Sequence, residues 1–537
     1  VLVEGLHREG RAFLDKLRGM YAFAYWDRRA RILTLARDRF GEKPLYYGET
    51  PEGFLLFASE IGALRAAHLM RFDHAPDAIA DYCLYGYVPE PKSIYKQVRR
   101  LEAGSLMTAG PARRPATQRY WRPAFDTDRA MTFKDAQAEL LDLLDNAVDA
   151  QRIADVPLGA FLSGGVDSAA IVSSMAQRGG EIRTCTIGFD DARADEREAA
   201  RRTASRYHTE HVEDVAPARA AGLIDAIAGV YGEPFADPSA IPTYLVCGAA
   251  RRHVTVALSG DGSDEIFGGY RRYRMFAAED PWRRALPAGL RRATFGALGD
   301  LYPKLDWAPR PLRFKTTFQA LGEDNVGAYA RAVSACLPDR ALAMMSRDLR
   351  RTLGAYDPVD AIAGHADDGL DALAQAQLID IHSWLPGRML TKVDRAAMAH
   401  GLEVRAPFLD HRLAEWAFRL PPRFRVSHHS GKRILKAALA ARVDKEILRA
   451  PKRGFSPPVA SWLRDPAGPL RRLNDSAHWR DCGALDEAAV TEMVERHAAG
   501  SADYSQEIWS VIMFDAFLRA ETSVQGILPA AERLAAQ

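Results

Sequence analysis

The hexapeptide Ser163-Gly164-Gly165-Val166-Asp167-Ser168 constrains the fold of this chain more than any other stretch. It follows an apolar run, Val156 to Leu162, and opens a second apolar run, Ala169 to Met175, that reads as helix. A strand, a turn of small residues and a helix start, in that order, make an anion cradle. The glycines admit a phosphate close to backbone N–H groups, and the helix N-terminus adds partial positive charge. The hexapeptide has no Lys, which separates it from the kinase-like P-loop. Asp167 offers a hard oxygen ligand for Mg²⁺ beside the phosphates. A Gly-rich turn without a ligand has the same composition, so the reading needs a second site.

The surrounding pattern supplies the frame for one. Phe133 to Arg152 reads as a long amphipathic helix, with Leu140, Leu141, Leu143, Leu144 and Val148 near helical spacing. Strands are then predicted over Val156–Leu162, Arg183–Phe189, Glu210–Glu213 and Val254–Leu258. They alternate with helices over Val166–Arg178, Ala194–Tyr207, Pro217–Gly229 and Ile241–Arg252. This alternation predicts an α/β fold with a doubly wound parallel sheet, whose ligands sit at the carboxyl ends of the strands. Beyond residue 280 the chain reads as mainly helical. Residues 1–120 read as α+β, with strands at Met20–Trp26, Arg31–Arg37, Pro44–Tyr47 and Phe54–Ala58. Helices follow at Ser59–Ala67 and Asp77–Tyr85, and Pro111 to Phe125, rich in Pro and Arg, reads as the linker.

The second site ends the strand at Leu258. Ser259-Gly260-Asp261-Gly262-Ser263-Asp264-Glu265 again places small residues after a strand, now with three acids. Backbone N–H groups of Ser259 and Gly260 are candidates to hold a nucleotide, and Asp264 to share Mg²⁺ with Asp167. Ser263, Asp264 and Glu265 would also cap a helix well, which does not exclude the ligand reading.

Bulk properties narrow the function. A chain of 537 residues exceeds one core. A net charge of +2 gives no sign of general nucleic-acid binding, and Arg271-Arg272-Tyr273-Arg274 reads as a solvated face. No apolar run approaches the ~18–20 residues that cross a bilayer. The five cysteines are widely spread with no CxxC pair, as for reduced thiols of a cytoplasmic protein. His428-His429 lies in a polar stretch, and the histidines show no metal-ligand spacing. The chain starts at Val1 inside a helix-like run and reads as a fragment without its natural N-terminus.

Through four stretches, two of them the loops just described, the chain resembles the glutamine-hydrolysing asparagine synthetases. Leu162 to Ser168 is similar to the family's pyrophosphate loop, and Leu258 to Tyr270 to its second nucleotide segment. Met389 to Arg395 with Glu403 to Asp410 resembles the helical part of the synthetase domain. Lys452-Arg453-Gly454-Phe455 with Pro457 and Trp462 resembles a C-terminal segment. Arg37 to Tyr47 and Ser59-Glu60-Ile61 resemble the latter half of an N-terminal nucleophile glutaminase domain.

The resemblance implies a partial glutaminase domain over residues 1–122, without its nucleophile segment, and an ATP-pyrophosphatase-type synthetase domain over 130–537. It implies ATP, Mg²⁺, aspartate, and ammonia derived from glutamine as cofactor and substrates, a homodimer, and no nucleic-acid or membrane partner. ATP would adenylate the aspartate side chain, and ammonia would displace AMP. Ser163, Gly164, Gly165 and Ser168 would bind pyrophosphate, with Mg²⁺ on Asp167 and Asp264. Leu162, Ile187, Ser259 and Gly260 would line the adenosine. Lys432 would neutralise charge developing on the phosphate and on the tetrahedral intermediate; by itself it reads as a surface helix lysine.

Two departures keep alternatives open. Asp261 stands where some members carry a Glu that orients ammonia or the intermediate. Phe235 to Pro242 lacks an Arg that some bacterial members carry in the acceptor region. Glu233, Asp237 and Arg405 are the nearby charges that could serve an amino-acid acceptor. A sugar acid, peptide or surface-polysaccharide precursor as acceptor, β-lactam-type ring closure, and a non-catalytic interaction module stay open on this reading.

Overall fold

The computed structural model describes residues 1–111, 113–188, 195–215, 220–302, 314–451, 457–465 and 468–535. The N-terminal part holds seven strands: β1 (Ala22–Asp27), β2 (Ile32–Arg37), β3 (Tyr46–Glu49), β4 (Leu55–Ala58), β5 (Val98–Arg100), β6 (Ser105–Gly110) and β7 (Arg113–Arg119). They form two antiparallel sheets, ordered β1-β2-β6-β7 and β4-β3-β5. Strand β7 corrects the expectation of a linker at Pro111–Phe125. Its residues pair with β6, from Ser105 opposite Arg119 to Gly110 opposite Arg113. Pro115 is tolerated because β7 is an edge strand, where a missing N–H need not break a ladder.

The second part is built on β8 (Leu158–Phe161), β9 (Arg183–Gly188), β10 (Glu210–Val215), β11 (Val256–Leu258) and β12 (Glu403–Arg405). All neighbours are parallel, in the order β10-β9-β8-β11-β12. From β8 the chain winds outward through β9 to β10, then returns to lay β11 on the other side. The order therefore reverses between β8 and β11, and the crevice where parallel sheets hold ligands opens there. Strand β12 was expected to belong to a helical block. Only three residues long, with Val404 between two charged neighbours, it carries no alternating signature. The expected strand end at Phe189, the helix start at Ala194, Pro217, and the stretch Lys452 to Phe455 lie outside the described residues.

The helix Phe133–Gln151 begins where Thr132 Oγ1 accepts the Asp135 N–H at 3.2 Å. It buries Leu140, Leu144, Ala147 and Val148 in one cluster with Ala169 to Val172, Met175, Ile434, Leu435 and Leu439. That cluster fixes the helix after the Ser163 loop and the segment that carries Lys432 relative to each other.

A larger cluster joins the N-terminal helix Pro76–Tyr85 to the long C-terminal helix beginning at Ser505. Tyr82 Oη donates to the Ser510 carbonyl across this contact at 2.7 Å. The two parts thus share a core.

Glu233 is the polar pin of the same contact and is only 4% exposed. It pairs with Arg100, accepts the Ile94 N–H at 2.7 Å and accepts Tyr46 Oη at 3.1 Å. Removing one partner of a buried pair leaves the other charge unpaired and costs ~3–5 kcal/mol. Glu233→Gln is expected to lose stability on that scale, read as a lower urea midpoint. A loss below 1 kcal/mol would show that the pin is dispensable. The same contacts remove Glu233 from the acceptor candidates.

Candidate active site

Both predicted loops leave the carboxyl ends of neighbouring strands, one after β8 and one after β11. Gly260 packs so closely on Asp167 that a Cβ there would lie 2.7 Å from the Asp167 Cβ. Glycine is required at 260 by this approach of loop to loop. Ser263 Oγ donates to Asp167 Oδ1 at 2.8 Å and ties the second loop to the first.

Lys432 completes the arrangement from far along the chain. Its Nζ lies 2.6 Å from Asp167 Oδ1 and 2.6 Å from Asp264 Oδ1. At 3% exposed it is buried, so the surface-lysine reading is corrected. Its backbone sits in the left-handed region at φ 52°, a conformation costing roughly 1–2 kcal/mol for a residue with a Cβ. The Lys432 N–H donates to the Phe267 carbonyl at 3.2 Å and helps hold that conformation. Gly269 leaves room for the side chain, because a Cβ there would collide with the Asp264 carboxylate and the end of the Lys432 stem. Gly431 similarly abuts the Gly268 carbonyl.

The Ser163 loop is organised by its own hydroxyls. Ser163 N–H donates to Ser168 Oγ at 3.0 Å, and Gly165 N–H to Ser163 Oγ at 3.2 Å. Gly164 N–H donates to a carboxylate oxygen of Glu196 at 3.1 Å. That oxygen stands where an anionic ligand oxygen would be received. Leu162 and Ile187 are both buried on the adjacent strand ends, and Leu162 N–H bonds the Cys185 carbonyl at 2.9 Å. Ser259 differs from expectation: its N–H donates to the Arg405 carbonyl at 2.8 Å and extends the sheet. Its hydroxyl donates to Asp261 Oδ2 at 2.8 Å and orients that carboxylate.

Other sequence candidates sort themselves by contact. Arg405 is fixed to Glu403 at 2.6 Å and to the Gln151 and Ile153 carbonyls, away from the acceptor segment. Asp237 stays beside that segment, bonded to Ser239 at 2.7 Å and paired with Arg388 at 3.2 Å and Lys392 at 3.6 Å. These cations and the Ser239 hydroxyl outweigh the effect of burial and hold the Asp237 carboxyl below the usual carboxylate range. Arg272, expected on a solvated face, is instead packed over the Tyr270 and Trp384 rings and paired with Asp380 at 2.6 Å. His428 and His429 are exposed, and no group of three or more metal-ligating side chains occurs among the described residues. The cysteines are free thiols.

Glu196, Gly269, Arg388 and Lys392 were not singled out from sequence as site residues, and Ser263 was read only as a helix cap. Gly268-Gly269 was the available signal, since paired glycines after an acidic loop mark a close approach. Nothing local marks Glu196, whose role depends on the loop it folds against.

The family model for asparagine synthase matches residues 139–519, more than half of the chain. This chain belongs to the asparagine synthase family. A glutamine amidotransferase domain matches residues 1–121, in agreement with the two antiparallel sheets. A putative glutamine-hydrolysing asparagine synthetase of Mycobacterium tuberculosis is 34% identical over 530 residues, covering 96% of this chain and 78% of that relative. Glutamine-hydrolysing asparagine synthetase 1 of Bacillus subtilis is 31% identical over 504 residues, covering 93% and 77%. Amidase chyE of Penicillium rubens is more distant, 24% identical over 544 residues, covering 91% of this chain and 77% of that relative.

Proposed function

We propose that this chain is a glutamine-dependent asparagine synthetase, a ligase that converts aspartate, ATP and an amide nitrogen into asparagine, AMP and pyrophosphate. The division between amidotransferase and synthetase parts is placed between residues 122 and 130. The reading includes a homodimer and a cytoplasmic setting. No helix among the described residues is long and apolar enough to cross a membrane.

One observation carries the reading: Asp167, Asp264 and Lys432, distant in sequence, meet at the crevice between β8 and β11. ATP brings dense negative charge to this point. The N-terminus of the helix Val166–Gln177 and the Lys432 ammonium counter that charge. The two carboxylates fit Mg²⁺, because both present an oxygen to one position, now taken by Nζ. Bound there, the metal would neutralise the pyrophosphate leaving group. Lys432, freed toward the nucleotide, would stabilise charge on the α-phosphate as the aspartate carboxylate attacks. Asp261, steered by Ser259, sits at the same strand end and would position the incoming nitrogen.

The test is pyrophosphate exchange into ATP with aspartate, without a nitrogen source, against a panel of sugar acids and peptides. Aspartate-dependent exchange is expected. Exchange with another carboxylate and none with aspartate would replace the acceptor. The observation favouring that second outcome is that Arg388 and Lys392, the cations beside the acceptor segment, are both engaged with Asp237.

A further inference from the structure

Glu42 follows the turn after β2, yet it faces the synthetase part. It is 9% exposed; its N–H donates to Asp38 Oδ1 at 2.9 Å, and among the described residues its carboxyl group has no side-chain or backbone partner and borders a cavity. A largely buried carboxyl group without a protein partner is stabilised only if the space beside it holds a polar guest. The carboxyl group lines a small cavity between the two parts. Its polar wall is Glu42, Lys43, Ser259, Asp261 and Asp394, and its apolar wall includes Met20 and Val393. About 20 Å³ is open to the centre of a water-sized molecule, enough for one such molecule.

Three features of this cavity select its occupant. It is too small for an amino acid or a nucleotide. Its carboxyl groups outnumber its single amine, and that amine, Lys43 Nζ, is already paired with Asp394 at 2.9 Å. It touches Ser259 and Asp261, which belong to the loop at the nucleotide crevice. A small cation with several N–H donors meets all three conditions. We infer that Glu42 is the base that receives ammonium beside Asp261 and takes one of its protons before the nitrogen attacks. The inference rests on the synthetase reading for the fate of that nitrogen.

In the step, an N–H bond of ammonium breaks and an O–H bond forms on the Glu42 carboxylate. The electron pair stays on nitrogen and becomes the nucleophile. Neutral ammonia then attacks the acyl carbon, and the C–O bond to AMP breaks with its electron pair leaving on the phosphate oxygen. The nitrogen loses a second proton to solvent to give the amide, and Glu42 gives its own proton to solvent before the next turnover. Burial, followed by the charge of Asp38, raises the Glu42 carboxyl well above the ordinary glutamate range and makes its carboxylate a stronger base. Asp261 and Asp410 push in the same direction and Lys43 opposes them. Asp410 is itself paired with Arg18, and Asp394 with Lys43.

The test uses the whole chain with ATP, aspartate and ammonium chloride. Glu42→Gln removes the base and keeps the shape. At neutral pH the ammonium-dependent rate of AMP formation is expected to fall ~10²–10⁴-fold. The rate should recover as pH rises, because free ammonia then replaces the protonated form. Glu42→Asp should restore part of the neutral-pH rate, and aspartate-dependent pyrophosphate exchange should be unchanged in both variants. A Glu42→Gln enzyme with the parent rate and pH profile overturns the inference, as does a parallel fall in exchange, which marks a structural role. Binding of ¹⁵N-ammonium, read as NMR line broadening without nucleotide, gives a readout independent of the acceptor. Broadening by the parent protein and none by Glu42→Gln is expected. Equal behaviour of the two overturns the inference even if exchange shows that aspartate is not the acceptor.

Discussion

Asp167→Ala is expected to reduce pyrophosphate exchange by at least ~10²–10³-fold while the chain stays folded. The carboxylate stands in the first turn of the helix Val166–Gln177 and is the point where the first loop, the second loop and Lys432 meet. Alanine fits that helix without strain, since it is the best helix former. The second loop remains supported by β11, and Lys432 retains Asp264 at 2.6 Å. What disappears is preorganised negative charge where a metal would bridge to the phosphates. Asp167→Asn separates charge from geometry. Its amide oxygen still accepts from Ser263 but gives a divalent cation a much weaker ligand. Loss in both variants supports metal binding. Full activity of Asp167→Asn with loss in Asp167→Ala would reduce Asp167 to a hydrogen-bonding strut between loops.

The parts of this site readable from sequence are those whose chemistry is local. The Ser163 loop is announced by a strand, glycines and a helix within a dozen residues, and the Ser259 loop likewise. Parallel topology follows from the alternation of strands and helices around them. Lys432 was assigned through family resemblance, because nothing in Gly431-Lys432-Arg433 tells a buried lysine from an exposed one. Its burial is created by the helix Phe133–Gln151, which packs on Ile434 and Leu435 from almost three hundred residues away in sequence. Strand β12 is hidden for the same reason: a three-residue strand is defined by β11 beside it. Strand β7 was masked by Pro and Arg, residues that mark a loop in isolation but suit the outer edge of a sheet. Glu42 lies within a stretch recognised for its family likeness, yet the cavity its side chain borders appears only when the two parts close around it.

Lys432→Met is the second change with a large expected effect, and it distinguishes a site lysine from a structural one. Methionine keeps much of the apolar stem but leaves Asp167 and Asp264 facing each other without the ammonium. Like charges at close range cannot both stay ionised cheaply, so one carboxyl is expected to rise in pKa. The sign follows. A folded-state carboxyl raised above its unfolded value destabilises the protein once pH exceeds the ordinary carboxylate range, and the deficit grows toward neutrality. Near pH 7 without divalent cations the loss should be of order 3–5 kcal/mol, as for a broken buried pair. It should shrink as pH falls toward 4. Mg²⁺ can take the position left by Nζ, so it should raise the melting temperature of Lys432→Met more than that of the parent chain. Restored stability should not bring restored turnover, because Mg²⁺ held by the two acids cannot replace an ammonium that must reach the α-phosphate. Equal Mg²⁺ responses in the two proteins would remove Asp167 and Asp264 as a metal pair, and unchanged turnover would remove Lys432 from the chemistry.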